Sequence, residues 1–337
     1  MKDRGLNDTG RDDRSPGWTR SKAGLRIAGM PMLFLVLLAS FSFYESPQAA
    51  PPPPSIIGRW DLTIHGPNGD RSAWLEVRHS GVQTLVGQFV GTSGSARPIS
   101  QVEFTGGELR FAIPPQWERV DGKLVVTGRL DGDRLTGLMT LGTGAPASWT
   151  GVRAPSLRRE TAPTWGAPAS LFNGRDLTGW HAMGANEWEA VNGVLRNKKS
   201  GGNLVTDQVF TDFKLHAEFR YPAGSNSGIY LRGRYEVQIA DTPAPEPGLD
   251  TLGAVYGYLA PVEWAAKKPD EWQTFDITLT GRLITVVLNG KTIISNHEIP
   301  GITGAALDSN EGAPGPLLLQ GDHGPVEFRN MTIVKGT

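Results

Sequence analysis

The chain has 337 residues, a formal net charge of −1 at pH 7 and no cysteine. A net charge this close to zero disfavours nucleic acid as a partner, and the lack of cysteine excludes disulfides, thiol nucleophiles and a lipid anchor on an acylated cysteine. The 43 glycines, 25 prolines and 10 tryptophans indicate many turns between aromatic-rich strands. They predict an all-β protein, long enough for two domains.

Residues 1–50 are predicted to be an export segment rather than part of the fold. Four basic residues between 14 and 26 precede an apolar run over 30–44, and small residues follow it at 47–50. The run is short for a spanning helix, which needs roughly 20 apolar residues. We therefore expect an exported protein, periplasmic or extracellular. An uncleaved N-terminal membrane anchor is the alternative, since an earlier starting point lengthens the run.

After a proline spacer at 51–54, residues 55–152 are predicted to form a small antiparallel β-barrel-like domain. Six segments alternate apolar and polar residues as strands do, with turns rich in Gly, Asn and Asp between them. They are 59–64, 73–78, 84–90, 108–113, 124–130 and 134–140. Six or more consecutive antiparallel strands close most simply into an up-and-down barrel. Residues 153–170, with three prolines, are predicted to be a linker.

Residues 171–337 are predicted to form a second β domain, a jelly-roll sandwich, because strand signals recur every 8 to 14 residues. Asn-Gly pairs at 192–193 and 289–290 each separate two strand-like segments, which favours hairpins with tight primed turns. Residues 241–266 lack periodicity and contain four prolines. They predict a long loop, and such loops in compact domains are commonly functional.

One predicted hairpin in this second domain is unusually polar. A two-residue turn would mix its apolar and polar faces. A three-residue connection at 233–235 pairs Arg232 with Glu236 instead. It also pairs Tyr230 with Gln238, and both faces then stay separate. We predict this register, which places the four polar side chains together on a surface suited to a polyhydroxylated ligand.

The standard catalytic motifs are missing from the sequence. It contains no G-x-S-x-G elbow, no H-E-x-x-H, no phosphate loop and no dinucleotide fingerprint. Conventional glycosidases use two carboxylates, and the nearest pair here is Glu236 and Asp241. Because these residues are five apart, strand alternation places them on opposite faces unless the strand ends first. A double-displacement glycosidase is therefore disfavoured.

Six segments, in order along the second domain, resemble the 3-keto-disaccharide hydrolase domain family, formerly a domain of unknown function. They are LFNGRDLTGW at 171–180, NSGI at 226–229, RGRYEVQIAD at 232–241, GAVYG at 253–257, EW at 271–272 and QGDHGPVEFRN at 320–330. The resemblance implies a concanavalin A-like β-sandwich that cleaves glycosides oxidised to a ketone at C3. It covers roughly half of the chain, from about residue 171 to 335.

The implied chemistry needs a general base, a general acid and an electrophile at the C3 oxygen. The C3 ketone acidifies the C2 proton, a base removes it, and the enolate expels the C1 oxygen; water then adds or the product stays unsaturated. On this reading His323 is the first candidate for the base or for a metal ligand. Glu236 is a base, a metal ligand or simply the ion-pair partner of Arg232, and Arg232 polarises the ketone.

Five further residues are candidates for substrate contacts, each with a purely structural alternative such as a turn residue or a packed aromatic ring. They are Gln238, Tyr230, Asn226, Tyr256 and Asp241, and Asp241 is also a candidate for orienting His323. No cofactor is certain, and a divalent metal ion at Glu236 and His323 stays open. The sequence shows no redox site, so a separate sugar 3-dehydrogenase must supply the ketone. A non-catalytic carbohydrate-binding module and a conventional β-glucan hydrolase are the alternative functions.

Overall fold

The computed structural model describes residues 55–116 and 118–337, which form 21 β-strands. The predicted export segment and the proline spacer lie outside these residues, so both stay predictions. Within the described part of the chain, no helix is long and apolar enough to cross a membrane.

Eight antiparallel strands close into a barrel in chain order. They are β1 (Gly58–Gly66), β2 (Gly69–Ser80), β3 (Thr84–Val90), β4 (Arg97–Thr105), β5 (Glu108–Ile113), β6 (Leu124–Asp131), β7 (Arg134–Leu141) and β8 (Ala147–Arg153). The barrel closes where β1 pairs with β8, with Leu62 opposite Gly151. The predicted barrel-like fold is confirmed. The sequence had not indicated β4 and β8, which contain Pro98 and Gly151, residues that weaken a strand signal.

A tryptophan fills the middle of the barrel. Trp149 on β8 is fully buried among the inward-facing side chains. A Cβ atom built on Gly128 or on Gly137 would lie 2.7 Å from its indole ring, closer than packed carbon atoms approach. Glycines on β6 and β7 are therefore what makes room for this side chain.

The remaining strands form a sandwich of two antiparallel sheets. They are β9 (Ala169–Ser170), β10 (Trp180–Met183), β11 (Trp188–Val191), β12 (Val194–Asn197), β13 (Asn203–Phe210), β14 (Asp212–Arg220), β15 (Asn226–Leu231), β16 (Tyr235–Ala240), β17 (Gln273–Thr280), β18 (Leu283–Leu288), β19 (Lys291–Glu298), β20 (Gly315–Leu319) and β21 (Val326–Gly336). One sheet has the order β10-β13-β20-β15-β16. The other has the order β11-β12-β21-β14-β17-β18-β19, with β9 paired to β21. This confirms the predicted sandwich class.

Both Asn-Gly hairpins form as predicted. Val191 pairs with Val194 across residues 192–193, and Leu288 pairs with Lys291 across residues 289–290. The asparagines have φ of 51° and the glycines φ of 79° and 81°. Two consecutive left-handed residues are what a type I′ turn requires, and its twist matches that of the flanking strands.

The barrel packs directly on the sandwich. Trp74 on β2 and Val90 on β3 point out of the barrel and are buried in the core of the sandwich. The Trp74 ring meets Tyr258 edge to face, with the ring centroids 5.7 Å apart. The Ser72 hydroxyl donates to the carbonyl of Ala306 at 2.6 Å. Since these contacts exclude water from apolar surface on both sides, they stabilise one arrangement of barrel and sandwich.

A buried ionic cluster lies at the same junction. Glu311 is fully buried, and it accepts hydrogen bonds from Arg282 Nε at 3.1 Å and from the Tyr235 hydroxyl at 2.7 Å. Asp61 on the barrel strand β1 is buried beside this carboxylate. Burial, and then the charge of Glu311, raise the pKa of Asp61 well above its ordinary value of 3.8. Asp61 is therefore neutral at pH 7, which removes a repulsion from the cluster.

Candidate active site

The polar hairpin has the predicted separation of faces in a different register. Leu231 pairs with Tyr235 and Tyr230 with Glu236, so the connection is residues 232–234, one residue earlier than predicted. Both connections contain three residues, and each keeps even-numbered residues opposite even-numbered ones. The even-numbered strand residues therefore still share one face. Their odd-numbered neighbours pack into the sandwich core.

The prediction that Arg232 stands beside Glu236 on this face is wrong. Arg232 is in the connection rather than the strand, with φ of 53°, so strand alternation no longer directs its side chain. The guanidinium is fully buried on the core side, 5.1 Å from the centre of the Tyr235 ring. Its Nη2 donates to the Tyr235 hydroxyl at 2.8 Å and to the Gly281 carbonyl at 3.3 Å. Arg232 does not line the pocket described below.

The polar face of the hairpin forms the floor of a cavity of about 610 Å³. That volume is in the usual range for small-ligand sites. The cavity is lined by seven of the eight residues predicted from the sequence: Glu236, His323, Tyr230, Gln238, Asn226, Tyr256 and Asp241. It is also lined by Asp250, Gln320, Gly304 and Ser93, which the sequence had not singled out.

Glu236 is a buried carboxyl group at the floor of the cavity. The Tyr230 hydroxyl donates to its Oε2 at 2.9 Å and also lies 3.1 Å from the Gly304 carbonyl. Burial raises the pKa of Glu236 to about 8, against the opposing effects of the Tyr230 hydrogen bond and of His323. The group therefore holds a proton at neutral pH and is suited to donating it.

Gly228 on β15 makes the room that Glu236 occupies. It pairs with Gln238, next to Glu236 on the cavity face. A Cβ atom at Gly228 would lie 2.5 Å from Oε1 of Glu236 and 2.9 Å from its Cγ. A side chain here would therefore displace the carboxyl group. This explains sterically why the NSGI segment at 226–229 has a glycine at position 228.

His323 lies at the edge of the cavity in a short loop after β20. Its Nδ1 is 2.7 Å from Oδ1 of Asp322. The hydrogen bond to Asp322 raises the pKa of His323 above 6.5, and the same bond lowers the pKa of Asp322. Because an ionised carboxylate only accepts, Nδ1 carries the shared hydrogen and Nε2 is the basic nitrogen of the neutral ring.

The loop that carries His323 is fixed from behind by a buried asparagine. Asn197 on β12 donates from Nδ2 to the carbonyls of Gly321 and Gly324, at 2.9 and 3.0 Å. These carbonyls flank His323 on both sides. Such contacts fix the position of the His323 side chain from outside the cavity.

The long loop over 241–266 covers the free edge of β16, the last strand of its sheet. Tyr256 N donates to the Glu236 carbonyl at 3.0 Å, and Gly253 N donates to the Gln238 carbonyl at 2.8 Å. Because the backbone of β16 is bonded to the loop on its outer side, the loop cannot swing freely. The Tyr256 side chain is thereby placed in the cavity.

Three amide side chains around the cavity have unsatisfied acceptors. Among the described residues, the side-chain oxygens of Gln238, Gln320 and Asn226 are buried and have no hydrogen-bond partner. All three residues line the cavity. A buried acceptor without a partner costs roughly 1–3 kcal/mol, and a ligand rich in hydroxyl groups would satisfy several at once.

Asp241 lines the cavity, and its role as a substrate contact stays a prediction. Its Oδ2 accepts from the backbone N–H of Gly224 at 2.7 Å, while Asp322 is the carboxylate that orients His323. β16 ends at Ala240, so alternation no longer separates Asp241 from Glu236, and both line the cavity. Asp322 directly precedes His323 in the sequence, and this adjacency could have identified the carboxylate that orients the imidazole.

The residues present do not fit a metal centre built on Glu236 and His323. In the part of the chain that the structure describes, no group of three or more His, Cys, Asp or Glu side chains could hold a metal ion. Catalytic zinc sites use three protein donors. Glu236 already accepts from Tyr230 and is protonated at neutral pH, so Nε2 of His323 is the one free donor of the proposed pair. We derive no step through a metal.

The cavity thus presents amides and hydroxyls around one buried carboxylic acid, on one face of the β-sandwich. Residues 167–334 match the 3-keto-α-glucoside-1,2-lyase-like domain family, and the chain belongs to that family. The resemblance found in the sequence is thereby confirmed. Membership supports a carbohydrate-active protein and suggests a carbohydrate-processing enzyme.

Solved structures similar to the chain have carbohydrate-related descriptions. A provisionally assigned glycosyl hydrolase from Parabacteroides distasonis is 30% identical, covers 52% of this chain and 92% of its own, and has a TM-score of 0.44. Another from the same organism is 26% identical, covers 50% and 98%, and scores 0.40. The carbohydrate-binding module CBM66 from Bacillus subtilis is 12% identical, covers 46% and 94%, and scores 0.32. Comparison with curated proteins gives no match.

Proposed function

We propose that the protein is an exported enzyme that cleaves 3-keto-glycosides by elimination at C1 and C2. The observation that carries the proposal is the pairing of a buried acid, Glu236, with an Asp322-bonded imidazole, His323, in one polar cavity. Two titratable groups whose environments give them different tasks are typical of acid–base catalysis. The family match supports the choice of substrate.

In this mechanism Nε2 of neutral His323 removes the C2 proton, and the electron pair enters the enolate of the C3 ketone. The enolate then re-forms the ketone as the C1–oxygen bond breaks, and Glu236 protonates the departing oxygen. The product is an unsaturated 3-keto sugar, which becomes the free 3-keto sugar when water adds across C1 and C2. The amide groups of Gln238 and Gln320 are available to donate to the C3 oxygen and the ring hydroxyls.

The test is product formation from a 3-keto-glucoside and from its unoxidised parent, side by side, each with and without a chelator. The proposal expects cleavage of the keto sugar alone, unchanged by the chelator. Cleavage of the parent would instead support a conventional glycosidase using Glu236 with Asp241 or Asp250, which also line the cavity. Binding without turnover of either sugar would favour a non-catalytic carbohydrate-binding module.

The pH dependence of kcat/KM follows from the two side chains. Activity requires neutral His323, so it rises with pH through a pKa above 6.5. It also requires protonated Glu236, so it falls as pH passes about 8. We expect a bell-shaped profile with a narrow optimum between these limits. A rate that keeps rising above pH 9 would contradict the assignment of Glu236 as the acid.

The proposal includes two expectations that lie outside the described residues or outside this chain. Export through residues 1–50, with cleavage or with retention as an anchor, is checked by fractionating cells and sequencing the mature N-terminus. A separate sugar 3-dehydrogenase supplies the ketone, because elimination needs an oxidised C3 and the proposed acid–base pair performs no oxidation.

A further inference from the structure

One loop of the barrel, within the part of the chain that the structure describes, lines the cavity of the sandwich. Residues 91–96, between β3 and β4, are called the barrel loop here. Ser93 and Gly94 of this loop line the cavity beside Gly304 and Ala305 of the sandwich. The cavity is thus built by both parts of the chain, although the family match begins only at residue 167.

The barrel loop is fitted closely to the sandwich backbone. Ala305 N donates to the Thr92 carbonyl at 3.1 Å. A Cβ atom on Gly304 would lie 2.2 Å from the Gly94 carbonyl oxygen, and one on Gly257 would lie 2.8 Å from Cβ of Ser95. Real Cβ atoms do not approach this closely, so the glycines permit backbone-to-backbone contact here.

The same loop is braced from the barrel side. Ser95 N donates to Oε1 of Gln116 at 3.1 Å, and the Gln116 amide donates in return to the Ser95 hydroxyl. Arg97, where the loop ends, forms an ion pair with Glu118 at 3.5 Å. A wall tied on both sides is already in place before a ligand arrives, which lowers the entropic cost of binding.

The barrel loop also contacts Gly304, whose carbonyl lies next to the tyrosine bonded to the proposed acid. Gly304, against which Gly94 packs, presents its carbonyl 3.1 Å from the Tyr230 hydroxyl. That hydroxyl donates to Glu236 at 2.9 Å. Glu236 is therefore linked to the barrel loop through one sandwich residue and one tyrosine.

The loop that carries His323 meets the cavity on another side. It packs at the start of β15, where a Cβ atom on Gly324 would lie 2.8 Å from the Ser225 hydroxyl. The charges of Glu236 and His323 act on each other's pKa, so both side chains reach one reacting bond. The barrel loop bounds the cavity on the Glu236 side of that bond.

We infer that the barrel loop is the binding wall for the leaving-group sugar, so that the barrel makes the enzyme selective for disaccharides over glycosides with small leaving groups. The inference rests on the proposed function, in which Glu236 protonates the departing oxygen. Whatever that oxygen carries must lie beside Glu236, and the wall beside Glu236 is the barrel loop. The Ser93 hydroxyl and the backbone polar groups at 93–94 are the contacts offered to sugar hydroxyls.

The test compares two substrates in full-length variants. Ser93→Trp fills the barrel end of the cavity, and Ser80→Trp is its matched control, because Ser80 is exposed at the other end of the barrel next to the β2–β3 turn. For a 3-keto-disaccharide we expect kcat/KM to fall roughly 10- to 200-fold in Ser93→Trp. For methyl 3-keto-glucoside we expect less than about twofold change, and Ser80→Trp should leave both substrates unaffected.

Equal losses on both substrates, or no loss on either, would overturn the inference. Ser93→Ala is the milder variant should the tryptophan impair folding, with about a threefold loss on the disaccharide alone, as for one hydrogen bond. If the wild type cleaves no keto sugar, the proposed function fails. Calorimetric titration with an unoxidised disaccharide then tests separately whether the barrel loop contributes to sugar binding. Loss of disaccharide binding in Ser93→Trp but not in Ser80→Trp would support a sugar-binding role for the barrel loop. Binding that is absent in the wild type, or unchanged in Ser93→Trp, would overturn that role.

Discussion

Glu236→Gln is expected to lower kcat roughly 10²- to 10⁴-fold on a 3-keto-disaccharide, the usual contribution of a positioned proton donor. The loss should nearly vanish on a 3-keto-glucoside whose leaving group is a p-nitrophenolate. Such a group departs without a proton, so an acid is no longer needed. Kinetics on both substrates measure the effect. The alkaline limb of the pH profile, set by the Glu236 pKa of about 8, should disappear in this variant.

His323→Asn is the matched comparison, since it removes the proposed base and keeps a polar side chain of similar position. Its loss should be equally large on both substrates, because the C2 proton must be removed whatever the leaving group. The opposite pattern, with the good leaving group rescuing His323→Asn and not Glu236→Gln, would reverse the two assignments. Equal losses in both variants would remove Glu236 from the acid role.

Arg282→Met is expected to destabilise the protein by about 3–5 kcal/mol, because it leaves the fully buried Glu311 carboxylate without its cation. Urea denaturation followed by tryptophan fluorescence measures the free energy of unfolding. Arg129→Met is the control: Arg129 pairs with Glu108 on the exposed barrel surface, where such pairs contribute roughly 0–1 kcal/mol. A loss below 1 kcal/mol in Arg282→Met would show that the cluster tolerates an uncompensated charge.

Asp61→Asn tests the protonation state within the same cluster. The folded-state pKa of Asp61 is raised above its ordinary value of 3.8. Below pH 3.8 Asp61 is therefore neutral in both the folded and the unfolded chain, and its titration costs no stability there. Stability is then lost as pH rises toward the raised pKa, since only the unfolded chain ionises there. Asparagine stays neutral, so the variant should match the wild type near pH 4 and exceed it by roughly 1–3 kcal/mol at pH 8.

Much of the fold was predictable because local sequence and tertiary structure agree. Asn192 and Asn289 each precede a glycine between two strand segments, and this pair specifies a type I′ turn by itself. The cavity face of the polar hairpin was predictable for a similar reason. The period of a strand is two, so residues 230, 236 and 238 share a face in any register that keeps the parity.

The position of Arg232 was not predictable from the same pattern. Two three-residue connections preserve the parity, and only one keeps Arg232 in the strand. The choice depends on tertiary contacts, since Arg232 and Arg234 flank Gly233 and are held by partners far along the chain, at Gly281 and Asp308. Local spacing does not contain those contacts.

The contribution of the barrel to the cavity could also not be predicted from the sequence. Ser93 is one of several small residues in a loop with no motif, and it lies 143 positions before Glu236 in the sequence. Only the packing of Gly304 against Gly94 brings the loop to the cavity. The role of Asp322 was easier to predict, since a carboxylate adjacent in sequence to a candidate base histidine indicates a hydrogen bond to it.

The fate of the C2 hydrogen of a 3-keto-glucoside cleaved in deuterated water distinguishes elimination from direct displacement at C1. Mass spectrometry of the released sugar, corrected for exchange without enzyme, reads it out. The account predicts that the original C2 hydrogen is lost, either replaced by deuterium in the hydrated product or absent from the unsaturated one. Release of a sugar that retains its C2 hydrogen would mean direct displacement at C1 and would contradict elimination at the Glu236 and His323 site.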